Sequence, residues 1–160
     1  MTMTGSRKLS WIGRPAFGLA AAACLALGSA GIAGADSPGP TLPNLVTFKN
    51  LATSKCLDGN SVTIYTHDCN GGLNQNWLIS ARPGATALRN MRTTLCLDSN
   101  AIGTVYPYPC NGGANQQWTW VWNGTSGTLQ NVATGRFLDS NGIGTVYTMG
   151  GNGGSYQKWL

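Results

Sequence analysis

The sequence predicts an all-β fold of three four-stranded repeats related by pseudo-threefold symmetry. Three observations predict it. A unit that opens Cys-Leu-Asp or Phe-Leu-Asp and closes on Gln-x-Trp occurs three times, at 56–77, 96–118 and 137–159. Its glutamines, Gln75, Gln116 and Gln157, recur in steps of 41 residues, a spacing typical of repeat architectures. Inside each unit the apolar runs are short and split by Gly, Asn and Ser, which breaks any helical period of useful length. Propeller blades have a similar period, but a closed propeller needs four or more of them.

The repeat extends upstream of its opening motif. FKNLATSKCLD (48–58), LRNMRTTLCLD (88–98) and LQNVATGRFLD (129–139) align without a gap. The repeats therefore run over about 44–83, 84–124 and 125–160. The strand candidates are LVTFKN, KCLD, TIYT and QNWLI in the first, and LRN, LCLD, TVYPY and QWTWVW in the second. The third has TLQN, RFLD, TVYTM and QKWL, so twelve strands are expected. Asn123-Gly124 is a hairpin signal. It is also the start of a glycosylation sequon with Thr125, which the turn explains.

Ahead of the repeats, residues 1–35 read as a secretory signal. Arg7, Lys8 and Arg14 form a positive start, an Ala-rich apolar run follows to about Ala33, and Ala33-Gly34-Ala35 suits signal peptidase. Cleavage is expected after Ala35, with a retained membrane anchor as the competing reading. Residues 36–43, DSPGPTLP, read as an extended linker. The remaining chain carries seven basic residues (Lys49, Lys55, Arg82, Arg89, Arg92, Arg136, Lys158) against five Asp and no Glu. Its net charge is then +2 rather than the +5 of the whole chain. Scattered charge of that size argues against a nucleic-acid partner.

Four cysteines remain after the signal: Cys56, Cys69, Cys96 and Cys110. An even count in an exported small domain reads as two disulfides. The third repeat chooses the pairing. Phe137 and Gly151 replace both half-cystines together, so each repeat bonds within itself: Cys56 to Cys69 and Cys96 to Cys110. Each closes a loop of about 14 residues, worth on the order of 3 kcal/mol. The spacings do not suit a metal, and His67 is the single histidine. No metal and no cofactor is expected.

No repeat can bury its apolar face alone, so the three must close on one another. Leu57, Leu97 and Leu138, with Trp77, Trp118 and Trp159, are the expected layers of a shared core. Trp120 and Trp122 alternate with Thr119 and Val121 and are expected on one strand face.

Three copies of Cys-Leu-Asp, Asn-Gly-Gly and Gln-x-Trp resemble the ricin B-chain type β-trefoil lectins and the related bacterial carbohydrate-binding modules. The resemblance covers residues 44–160, and the Gln-x-Trp repeat is the family's signature. It implies a β-trefoil and a sugar ligand. It also places Asp58, Asp98 and Asp139 as acceptors for sugar hydroxyls. The family's stacking ring lies two residues before the second cysteine, where this chain has His67, Tyr108 and Met149. Two residues earlier, where relatives often carry a polar side chain, stand Tyr65, Tyr106 and Tyr147. The asparagine before the Gln of Gln-x-Trp is Asn74 and Asn115, with Tyr156 in the third repeat. One carboxylate, one ring and one amide are also what a weak pyranose site needs on chemical grounds. The second repeat departs least from the pattern. Plainer roles stand beside these: the Gln as a structural tie, the Trp as core, Asn-Gly-Gly and the Asp residues as turn chemistry, and the tyrosines as packing.

An enzyme is not expected. Glycoside hydrolysis uses two carboxylates across one bond, and the three repeated Asp residues belong to separate lobes. The expected function is a secreted, monomeric, non-catalytic module for galactose-type or xylan- or arabinan-type glycans, with no membrane attachment after cleavage and with up to three weak sites acting together. The rival reading is a trefoil used for protein contact, with decayed sugar sites.

Overall fold

Runs of four to six β-forming residues are too short to bury much in a single sheet, and the chain solves this by closing on itself. The computed structural model describes residues 44–160. The expected signal and linker lie outside the described residues. Among these, eleven strands and no α-helix form. They are β1 (Leu45–Val46), β2 (Cys56–Gly59), β3 (Ile64–His67), β4 (Trp77–Arg82), β5 (Ala85–Asn90) and β6 (Cys96–Ser99). After them come β7 (Val105–Tyr108), β8 (Trp118–Trp122), β9 (Gly127–Asn131), β10 (Phe137–Ser140) and β11 (Val146–Met149).

One set of strands makes a ring. β4 pairs with β1 and β5, β5 meets β8 at Thr86 and Trp118, and β8 pairs with β9. The terminal segment closes it, since Trp159 bridges both Gly127 and Asn50. Lys49 and Leu160 exchange both backbone bonds, at 3.1 and 2.8 Å. This segment stands where the twelfth strand was expected. It touches each neighbour through a single bridge, so it forms no ladder of its own. The other strands form three hairpins, β2–β3, β6–β7 and β10–β11. The fold is a β-trefoil: a closed ring of strands with three hairpins, one per lobe. Closure leaves the ring without an edge strand to protect.

The core is four layers of three. Trp77, Trp118 and Trp159 and Leu57, Leu97 and Leu138 are each 0 % exposed. Phe48, Leu88 and Leu129 form a third layer, and Ile64, Val105 and Val146 a fourth. Each indole N–H donates to a leucine carbonyl of its own lobe: Trp77 to Leu57 at 3.0 Å, Trp118 to Leu97 at 3.1 Å and Trp159 to Leu138 at 3.2 Å. Burying these large rings therefore leaves no donor unpaired. Trp120 and Trp122 share a face as expected, stacked with centroids 6.1 Å apart. Trp120 lies over Gly127, where an added Cβ would overlap its ring.

Lobes are tied cyclically by the asparagine that precedes each opening motif. Asn50 Nδ2 donates to the Tyr156 carbonyl at 2.8 Å, Asn90 to that of Asn74 at 2.7 Å, and Asn131 to that of Asn115 at 2.8 Å. All three side chains are buried.

Where the hairpins meet, the symmetry breaks. Thr66 and Ser140 hydroxyls pair at 3.3 Å, and Thr148 and Ser99 at 2.8 Å. The Thr66 and Thr148 N–H groups donate to Gly144 and Gly103, both at 2.8 Å. The third pair by the same relation is Pro107 and Gly59, neither of which has a hydroxyl. Both members have been lost together, which avoids leaving one buried hydroxyl without a partner.

That pairing makes a prediction. Ser99→Ala should destabilise the fold by about 1–3 kcal/mol, the cost of stranding the Thr148 hydroxyl. Ser99→Ala with Thr148→Val should cost clearly less than the two single changes summed. Urea unfolding of the four proteins checks it, and strict additivity would count against the pair.

Candidate functional site

The alternation of a strand decides what each lobe presents. In Cys-Leu-Asp the leucine turns into the core, and its neighbours turn to the other face. Across each hairpin the acid then faces a tyrosine: Asp58 opposite Tyr65, Asp98 opposite Tyr106 and Asp139 opposite Tyr147. One step along, Cys56 faces His67, Cys96 faces Tyr108 and Phe137 faces Met149. Acid, inner ring and outer side chain thus share one face of every hairpin, and that outer side chain is a ring in the first two.

The carboxylates are enclosed rather than open. Asp58, Asp98 and Asp139 are 3 %, 3 % and 2 % exposed. Gln75 Nε2 donates to Asp58 Oδ2, and Gln116 Nε2 to Asp98 Oδ2, each at 3.0 Å. The same glutamines also hold backbone. Gln116 Nε2 donates to the Pro109 carbonyl at 3.0 Å, and its Oε1 accepts from the Asn111 N–H at 2.9 Å. The glutamine of the motif is therefore a tie, and it is also what fixes the acid. In the third lobe Gln157 keeps only the backbone bonds, to Gly150 and from Asn152, each at 3.0 Å.

The other carboxylate oxygen, Oδ1 of Asp58 and of Asp98, is buried with no hydrogen-bond partner. Buried acceptors of this kind are rare, because the lost hydration goes uncompensated. The Tyr65 and Tyr106 phenols interact with these carboxylates from across the strand, outside the geometry of an ordinary hydrogen bond. Burial pushes the Tyr65, Tyr106 and Tyr147 phenols above their ordinary value of 10.0, and the carboxylate opposite each pushes the same way.

The outer rings differ between lobes. Tyr108 is 49 % exposed and meets Tyr106 edge-on, centroids 6.2 Å apart at 89°. His67 meets Tyr65 likewise, at 6.5 Å and 83°. Each of these two lobes offers an exposed plate standing edge-on to the ring opposite the acid. Met149 replaces the plate in the third.

The asparagines before the Gln of Gln-x-Trp also serve the fold through their backbone. The backbone carbonyls of Asn74 and Asn115 accept the inter-lobe clamps. The Asn74 side chain also lines a polar hollow with Asn60, Ser61, Arg92 and Thr93. Asn60 serves its own turn, its Oδ1 accepting from Val62 and Thr63 N–H groups at 2.8 Å. Turn chemistry falls to this asparagine and not to the preceding Asp. Asn60 and Arg92 were not singled out from sequence. Asn60 recurs as Asn100 and Asn141 and was legible on that ground, whereas Arg92 does not recur.

Both disulfides form as the repeat implied, with Cα separations of 5.0 Å for Cys56–Cys69 and 5.1 Å for Cys96–Cys110. In the third lobe the Phe137 ring takes the space. A Cβ on Gly151 would lie 2.8 Å from it.

A family model for the ricin-type β-trefoil lectin domain matches residues 44–159. Among solved structures the chain is similar to ThreeFoil, a designed three-fold symmetric protein, at TM-score 0.66 and 24 % identity, covering 72 % of this chain and 95 % of that one. It is similar to the Polyporus squamosus lectin bound to a human-type influenza-binding epitope, at TM-score 0.66 and 20 % identity, covering 73 % and 48 %. An exo-β-1,3-galactanase from Clostridium thermocellum gives TM-score 0.65 and 23 % identity, covering 72 % and 29 %. The chain thus spans nearly all of the designed protein but less than half of the other two, and at these identities the likeness is one of fold. No curated protein matches this chain in sequence.

The raised phenols carry a pH prediction. The folded state holds these protons more tightly than the unfolded chain, so their contribution is intact below about pH 10 and is lost as the pH climbs through the folded values. Tyrosinate absorbance should show phenols ionising above the ordinary range, and Tyr106→Phe should remove part of that late step. An unchanged titration in the variant would contradict the assignment.

Proposed function

The chain belongs to the ricin-type β-trefoil lectin family, and from that premise we propose that it is an exported, non-catalytic sugar-binding module. The observation that carries this is at Asp98. A buried carboxylate is gripped on one oxygen by Gln116 and left without a partner on the other. Beside it stand a covering ring, Tyr106, and a half-exposed one, Tyr108. When the Tyr106 ring tips aside, a sugar hydroxyl reaches Oδ1 and supplies the missing donor, while Tyr108 stacks on the C–H face. The Asn115 side chain, exposed on the neighbouring turn, completes the set.

The first lobe repeats the arrangement with Asp58, Tyr65, His67 and Asn74, and a narrower plate. The third keeps Asp139 and Tyr147 but has lost the glutamine grip on the acid and the outer ring, so it contributes least. Each site is weak alone, and a polymer that engages two lobes gains from the second contact being intramolecular. Galactose-type and xylan- or arabinan-type glycans are the ligand classes proposed. Two disulfides suit an oxidising compartment and so support the reading of residues 1–35 as an export signal.

A glycan array with polysaccharide pull-down tests this. Tyr108→Ala should weaken binding at least about tenfold, as removal of a stacking anchor does. His67→Ala should cost less, and the two together should abolish retention on a polymer. Full binding by the double variant would refute the assignment of the plates, and indifference to every glycan would favour a protein-contact role.

A further inference from the structure

The second lobe carries a basic hollow that the sugar site just described does not use. It has a volume of about 260 Å³ and is lined by Arg82, Arg89, Cys96, Cys110, Asn111 and Gln116 among others, with no carboxylate in the lining. Asp98 lies behind Gln116, buried and held by it. Arg89 donates through Nε to the Thr94 carbonyl at 3.1 Å, which fixes the side chain. Arg82 lies over the Asn-Gly-Gly turn. Its Nη2 is 3.4 Å from where a Cβ on Gly112 would stand, and Gly112 has a φ of +72°. The corresponding Gly71 and Gly153 of the other lobes have nothing within 4 Å of that position.

The hollow is peculiar to this lobe. By the repeat, Arg82 and Arg89 become Asn123 and Gln130 in the third lobe, and the Phe137 ring fills the space of the disulfide. In the first lobe Lys49 stands for Arg89. The pair of guanidinium groups thus occurs only where the acid, both tyrosines and the asparagine are also present.

Register ties the hollow to the ring. Arg89 is the cross-strand partner of Cys96, and Cys96 is the partner of Tyr108. Guanidinium, disulfide and stacking ring stand in a row across three strands and on one face, spanning two strand spacings, on the order of 10 Å. A saccharide stacked on Tyr108 would extend its neighbouring substituent towards the two arginines. Guanidinium groups bind planar oxyanions through paired N–H donors, and a hollow without a carboxylate of its own leaves that capacity unmet.

We propose that the second lobe selects acidic saccharides, with Arg82 and Arg89 binding a carboxylate or sulfate substituent of a glycan whose sugar ring stacks on Tyr108. This rests on the sugar-binding reading above and narrows its ligand class. Specificity then differs between lobes: the second reads charge through two guanidinium groups beside its ring, a pair the other two lobes lack.

The test is an array of galactose- and xylose-type oligosaccharides, each in matched neutral, uronate-bearing and sulfated form, with titration of the best pairs. At low salt the acidic members should bind about tenfold more tightly than their neutral partners, the gain expected of charge-assisted bonds. That advantage should shrink as salt screens the site. Arg82→Gln with Arg89→Gln should bring the acidic-to-neutral ratio close to one, with tryptophan fluorescence reporting the fold. The uronate and sulfate arms identify the oxyanion. Equal binding of matched partners, or a preference that survives in the double variant, overturns the proposal while leaving sugar binding intact. Acidic binding that survives Tyr108→Ala overturns the link between ring and hollow. Silence towards every glycan overturns the sugar reading and this with it. Should the double variant not fold, a preference in the unmodified protein that ignores salt overturns it instead.

Discussion

Everything in this fold hangs on the bond between the indole of Gln-x-Trp and the carbonyl of the leucine that opens the same repeat. A lobe has too little apolar surface to fold alone, so its two ends must be joined before three lobes can share a core. The bond joins them inside that core, between a donor and an acceptor that would otherwise be stranded there. It also sets a register. With Trp77 fixed on Leu57, the residue two before the tryptophan comes opposite the residue after the leucine, and Gln75 meets Asp58. The contact that builds the core and the contact that fixes the site's acid are neighbours on the same two short segments. In the first two lobes the carboxylate is positioned as a consequence.

The third lobe shows that the two contacts are nevertheless separable. Trp159 keeps its bond to Leu138, and the core layer is complete. The glutamine's grip on the acid, the disulfide and the outer ring are gone, and Phe137 packs against Gly151 in their place. The core demands threefold repetition because its layers are shared. The outside carries no such demand, since each face meets solvent independently. The hairpin junction lies between these cases. There a hydroxyl pair can be deleted only as a unit, and Pro107 and Gly59 are what a unit deletion looks like.

Much of this was legible in the chain. The repeat, its period, the shared Trp and Leu layers and the disulfide pairing all follow from aligning three copies, because a structural role repeated three times leaves three marks. The glutamine tie was legible for the same reason. Recurrence alone does not say what a residue touches. The asparagines Asn50, Asn90 and Asn131 recur in the aligned segments, but their bonds reach into the preceding lobe, more than a hundred residues away for Asn50. The closed state of the acids was not legible either. Burial of Asp98 depends on how a glutamine 18 residues on and a tyrosine across the strand fold over it. The last strand was overread, since its pairing is split between two neighbours and reaches only one residue on each.

Residues that do not recur are the opposite case, and they bear on what the protein discriminates. Symmetry-related sites that were all alike would bind one ligand with avidity and no added selectivity. The second lobe departs from its sisters in one direction, with its own Arg89 and Arg82 from the end of the preceding repeat beside the most complete set of acid, rings and amide. Neither arginine is required by the fold. Arg82 stands at the end of its strand beyond the core, and the other lobes close without it. Two guanidinium groups line one hollow where packing does not call for them, and the described lining holds no carboxylate to pair with either; their paired N–H donors are open to an incoming oxyanion. That is the physical ground for reading the trefoil as one scaffold carrying unequal sites: the shared core makes the lobes interchangeable in stability, and this freedom lets one of them specialise.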